Sequence, residues 1–159
     1  MELDGIDDYI STPFVLDPAK GSLSAFAWMQ GGAPGQVILS QTGGFGGTWL
    51  GIVPSEGTLM TGFSEMYFGA LVSETIITDG QWRHVGLIYD LDSLHRRLYV
   101  DGILVAEDPT IVSGVPSDGG LHIGASNDLD AGTFFFGLID DIRIYNVALN
   151  PDEIASLAQ

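Results

Sequence analysis

The stretch GSLSAFAWMQ, Gly21–Gln30, alternates between two faces. Leu23, Ala25, Ala27 and Met29 fall on one side, and Ser22, Ser24, Phe26, Trp28 and Gln30 on the other. A period of two marks a β-strand, because successive side chains leave the backbone on opposite sides. Segments of the same kind follow at QVILSQ (Gln36–Gln41), TWLGIV (Thr48–Val53) and GQWRHVGLIYD (Gly80–Asp90), with glycine- and proline-bearing turns between them. Asp101-Gly102, inside RRLYVDGILVAED, suits the two positive-φ positions of a type I′ hairpin turn. The strand pattern gives way to NPDEIASLA, where Asn150 is placed as a helix cap, Pro151 at the first helical position and Glu153 at the third. Roughly a dozen short strands with turn signals every ~8–12 residues predict an all-β sandwich. It is expected to form one domain over residues 1–159, with one short C-terminal helix.

The totals agree with a folded chain and narrow its partners. The 159 residues suffice for a core without staples, and 45% are hydrophobic. Five Lys and Arg stand against 21 Asp and Glu, a net charge of −16. A surface of that sign repels phosphate backbones and anionic headgroups, which sets aside nucleic acid and anionic membranes as partners. The absence of cysteine excludes a thiol nucleophile, disulfides and cysteine zinc sites. No apolar run reaches bilayer length, so membrane insertion is not expected. The acidic start lacks the basic segment of a signal peptide. The expectation is therefore a cytoplasmic protein or a module of a longer exported chain.

Three further stretches carry a resemblance. LDGIDDYI (Leu3–Ile10), WRHVGLIYD with RRLYVDGILV (Trp82–Asp90 and Arg96–Val105), and FGLIDDIRIYNVALNPDEIASL (Phe136–Leu157) together resemble laminin-G-like domains of the concanavalin A-like lectin/glucanase superfamily. The resemblance spans Leu3 to Leu157. It departs at Gly86, where a small apolar residue is usual, and at Val147, where Arg is common. It implies a jelly-roll of two curved antiparallel sheets. It also implies a non-catalytic module of an extracellular or cell-surface bacterial protein that binds glycan or protein, or mediates adhesion, and commonly holds a structural calcium. Two other roles stay open: an architectural domain packing against neighbouring domains of the same chain, and, third, a glucanase-type hydrolase.

The carboxylates bear on both chemistry and metal. Glu2, Asp4 and Asp7 are spaced E-x-D-x-x-D, near the E-x-D-x-x-E of relatives with glucanase activity. Here the last member is Asp and Gly5 interrupts the strand, so catalysis is not expected. Calcium takes six to eight oxygens from carboxylates, carbonyls and water. By position, the resemblance nominates Asp140 with Asp4 opposite it, Asp7, Asp8 and Asp141 as second choices, and carbonyls near Gly21. Strict alternation through GLIDDIRIY puts Asp140 on the apolar face with Leu138, Ile142 and Ile144, where an unpaired carboxylate is costly. The alternative is that Asp140 or Asp141 pairs with Arg143 or caps a turn.

Sugar binding wants an exposed aromatic beside polar groups. Trp49, following the glycine-rich TGGFGG, is the expected ligand contact, with Phe45 in that loop, Tyr67 next, and Asn127 and Asp128 of the polar SNDLDAG loop as a rim site. Trp28 is expected in the core and Trp82 in packing. Three aromatics in a row at TFFFG require at least one to point away from the core it serves. His84, His95 and His122 have no metal-ligand spacing, and Arg96-Arg97 is too small a basic patch for a polyanion.

Overall fold

The computed structural model describes residues 1–43, 47–63, 69–109 and 116–159. They form a jelly-roll sandwich of two six-stranded antiparallel sheets. The first sheet runs in the order β1 (Glu2–Asp4), β12 (Phe136–Tyr145), β3 (Leu23–Gly31), β8 (Arg83–Asp90), β9 (His95–Val100), β10 (Ile103–Pro109). The second runs β2 (Ile10–Phe14), β11 (Gly120–Ile123), β4 (Val37–Gln41), β5 (Thr48–Ile52), β6 (Thr58–Thr61), β7 (Leu71–Ile76). The chain's first and last strands are neighbours, joined on through Ile139, whose N–H donates to the Met1 carbonyl.

The alternation of Gly21–Gln30 sets the inner face. Leu23, Ala25, Ala27 and Met29 are all fully buried between the sheets, where they meet Leu39, Trp49, Leu50, Leu87 and Leu98. Burial of that apolar area, at about 25 cal/mol per Å², is the main stabilising term. The Asp101-Gly102 turn has φ of 51° and 77°, the two left-handed residues its sequence predicts.

A second, smaller apolar cluster lies on the outer face of the first sheet. Phe26, Ile88 and Tyr99 are covered there by Ile154 of helix α1 (Pro151–Leu157). The Asn150 side chain accepts the N–H groups of Asp152 and Glu153, and Glu153 returns an acceptor to the Asn150 N–H at 2.8 Å. This capping box satisfies donors that a short helix otherwise leaves open.

One strand breaks the expected alternation. Between Asp140 and Arg143 the pairing of β12 with β3 slips by a bulge, and Asp141 adopts φ 45°. An extra residue in one strand reverses the phase of everything after it. Ile139 faces the core before the bulge, and Ile142 and Ile144 pack against the core after it. Asp140 is thereby exposed rather than set on an apolar face, and it needs no ion to offset its burial.

Candidate functional site

The register decides first which carboxylates can meet. On β1, Asp4 stands opposite Phe136, whereas Asp140 lies four residues further along β12, about 13 Å at a strand's rise. Asp4 and Asp140 therefore do not face one ion. Asp141 is held by Arg143 at 2.7 and 2.9 Å, the ion-pair alternative of the sequence reading, and this pairing lowers its carboxyl below the usual range. Gly21 precedes β3 at the end away from Gly31, the residue level with Asp4's end of β12, so its carbonyl cannot assist.

Asp4, Asp7 and Asp8 do come together. A carboxylate oxygen from each lies within 4.8 Å of the others. Gly5, at φ 74°, turns the chain back, and a side chain there would press on Phe136. Asp4 Oδ1 accepts the N–H groups of Ile6 at 2.8 Å, Asp7 at 3.3 Å and Asp8 at 3.4 Å, and Asp8 Oδ2 accepts from Asp4 N–H. The Ile6 bond above all holds the Asp4 carboxyl below its ordinary pKa. The five basic side chains of the sequence are paired elsewhere: Lys20 with Asp17, Arg83 with Asp79 and Asp101, Arg96 with Asp108, Arg97 with Asp90 and Glu107, Arg143 with Asp141. The three carboxylates have no Lys or Arg beside them. A hard cation fits such a donor set, with carbonyls and water completing it.

The expected sugar contacts are scattered. Trp49 is 0% exposed, packed edge-on to Phe63 in the core, so it does not stand at an open loop edge. It belongs to the same buried cluster as Leu50 and Ile52. Phe45 and Tyr67 lie outside the described residues. Asn127 and Asp128 belong to a loop closed on itself by Ser126, Asp130 and Thr133, next to β11 of the second sheet. Of the three consecutive phenylalanines, Phe135 is buried and Phe136 is 62% exposed, as the run demands.

Two other tryptophans reach the surface. Asp140, Trp28 and His84 form one cross-strand row on β12, β3 and β8. Trp28 is half-buried, its ring tilted against His84, which stacks in turn on Phe26. Burial lowers the His84 pKa, and its Nδ1 has no hydrogen-bond partner. Trp82 is 41% exposed and lies just before β8, two residues ahead of His84. Gln30, which pairs with Leu138 across β12, donates from its side chain to the Gly80 carbonyl at 2.8 Å and so pins the approach to Trp82. The helix packs on Phe26, and neither Trp28 nor Trp82 belongs to that cluster.

Residues 4–155 match the Laminin_G_3 family model of the concanavalin A-like lectin/glucanases superfamily. The chain belongs to this family. Human pentraxin-4 is 33% identical over 90 residues, 52% of this chain, and the matched part is 19% of the pentraxin's length. Domain 4 of the extracellular arabinanase AbnA from Geobacillus stearothermophilus, solved with arabinotriose, has 22% identity and a TM-score of 0.72, covering 99% of this chain and 75% of that one. The sialidase module CBM40 of Ruminococcus gnavus, solved with α2,3-sialyllactose, has 13% identity and a TM-score of 0.67, covering 96% and 98%. These likenesses speak to the laminin-G fold. For the outer-face tryptophans the signal was in the sequence: Trp28 alternates with the buried stripe and shares its side with Gln30 and the serines.

Among the described residues, no helix is long and apolar enough to cross a membrane. Two adjoining hollows of about 200 and 480 Å³ meet at Lys20, Gly21, Ser22 and Asn146, at the far end of β3 from the acidic turn.

Proposed function

We propose that this laminin-G domain is a non-catalytic carbohydrate-binding module of an extracellular protein, delivering neighbouring domains of a longer chain to a glycan or mediating adhesion. The observation that carries the reading is the near-complete mutual coverage with the R. gnavus sialidase module, a domain of the same extent whose structure holds a sialyllactose. The arabinotriose-bound arabinanase domain adds a second sugar-bound structure of this fold. The carboxylates of β1 support a non-catalytic role. Glu2 and Asp4 are exposed on an edge strand, and the Asp4 carboxyl is spent on its own turn, whereas a glycosidase needs a carboxyl pair about 5–5.5 Å apart with one pKa raised.

In the same reading, a calcium ion held by Asp4, Asp7 and Asp8 stabilises the turn that joins β1 to β2. The ion would neutralise three carboxylates that have no basic partner and tie the first strand to its edge position.

A glycan array of neutral and acidic polysaccharides, probed with calcium-loaded protein, tests the carbohydrate reading. Binding to at least one glycan class is expected, and uniform absence of signal favours an architectural domain. Hydrolysis of laminarin, agar or xylan would overturn the non-catalytic assignment.

A further inference from the structure

Resting on the carbohydrate reading above, we infer that the outer face of the first sheet beside helix α1 is a binding platform for a neutral glycan, with Trp82 and Trp28 as its stacking surfaces. On one sheet face, diagonal neighbours on adjacent strands stand about 7–8 Å apart, close enough for two indoles to underlie consecutive sugar rings. Trp82 is 41% exposed although it lies on a strand line whose next members, His84 and Gly86, are buried. Trp28 is half-buried with its ring tilted against His84, which Phe26 backs in turn, so the ring is supported before any ligand arrives. An indole face receives the C–H face of a pyranose, and a ring already fixed loses little freedom on binding.

The polar groups around the two rings select the ligand. Asp140 sits directly across from Trp28, and Asp141 and Arg143 follow on the same strand. Carboxylates accept hydrogen bonds from sugar hydroxyls. The Arg143 guanidinium is held in a fork by Asp141, so it is a fixed donor whose charge is already balanced. Nearby Asp79 and Asp101 share the single Arg83, which leaves one negative charge unbalanced. An acidic sugar would thus meet surplus negative charge locally, on a chain of net charge −16. A neutral sugar meets acceptors and a hydrophobic surface with no such repulsion. The platform differs in this from the site of a sialic-acid binder, which must receive a carboxylate.

The test is titration calorimetry and affinity electrophoresis with neutral probes (cellohexaose, xylohexaose, arabinohexaose and laminarin) and acidic probes (α2,3-sialyllactose and polygalacturonate). The native protein should bind a neutral probe, and Trp82→Ala should weaken it at least ten-fold with the thermal midpoint unchanged. Trp28→Phe should weaken it less, and ligand should shift the tryptophan emission of the native protein more than that of Trp82→Ala. If a glycan binds and both variants bind it as well as the native protein, the platform is wrong and the carbohydrate reading stands. If sialyllactose or polygalacturonate binds as tightly as any neutral probe, the selectivity argument falls. If no glycan binds the native protein, the carbohydrate reading fails, and the platform with it.

Discussion

The ring of Phe26 lies across β8 at Gly86, where a Cβ would overlap the ring carbons. The absence of a side chain at Gly86 lets Phe26 stack on His84 at 5.3 Å and support Ile154 from below. Gly86→Ala should therefore destabilise by about 1–3 kcal/mol through overpacking, read as a lower thermal midpoint. Placed in a Phe26→Leu background, the same substitution should cost less, because the two positions share one volume. Equal costs in both backgrounds would remove the steric account.

Arg96 is 0% exposed and makes four hydrogen bonds. Its guanidinium forks onto Asp108 and donates to the carbonyls of Phe63 and Gly69, linking β9 to the segment ahead of β7. Arg96→Met leaves these acceptors without a donor and should cost about 3–5 kcal/mol. Arg96→Lys should recover only part of it, since an ammonium cannot reproduce the fork. Denaturant midpoints of both variants check this.

Calcium should raise the melting temperature of metal-stripped protein by several degrees, because binding to the folded state alone contributes about 2.7 kcal/mol at one hundred times Kd. Asp7→Asn and Asp8→Asn should abolish the shift, while Asp140→Asn should leave it intact. A shift lost in Asp140→Asn but kept in Asp7→Asn would return the ion to β12. No shift in the native protein would remove it altogether.

His84 gives a pH dependence of known sign. Its folded pKa lies below the unfolded value of about 6.5 because burial disfavours the imidazolium. Between the two values the unfolded chain binds more protons, so stability falls as pH drops below about 6.5 towards the folded pKa. The difference in melting temperature between native protein and His84→Gln should narrow over that descent. A constant difference from pH 7.5 to 5 would contradict it.

Much of the fold was legible because its signals are local. The two-residue period of Gly21–Gln30, the Asp101-Gly102 turn and the Asn150 cap each depend on a few neighbouring residues. The site was harder to read because it depends on register. Asp4 and Asp140 looked like partners by motif, and only the pairing of Asp4 with Phe136 separates them. The bulge at Asp141 has no signal in an otherwise regular strand, and it alone moves Asp140 to the surface. Trp49 was misplaced since a glycine-rich loop before a strand says nothing about which face the strand's second residue takes. Trp28 was expected in the core and Trp82 in packing, yet Trp28 is half-buried and Trp82 is 41% exposed, because burial on an outer face follows what covers it, here the helix over Phe26.

The position of β12 has a consequence for synthesis. It inserts between β1 and β3, so the last strand of this domain to be synthesised pairs with the first and third. Until it arrives, β3 presents an open hydrogen-bonding edge and a fully apolar inner stripe. Such an edge recruits other strands, and non-local closure of this kind is slow. A nascent chain stopped before Phe136 therefore carries the face most prone to aggregation, and folding of the whole domain waits on its last 24 residues.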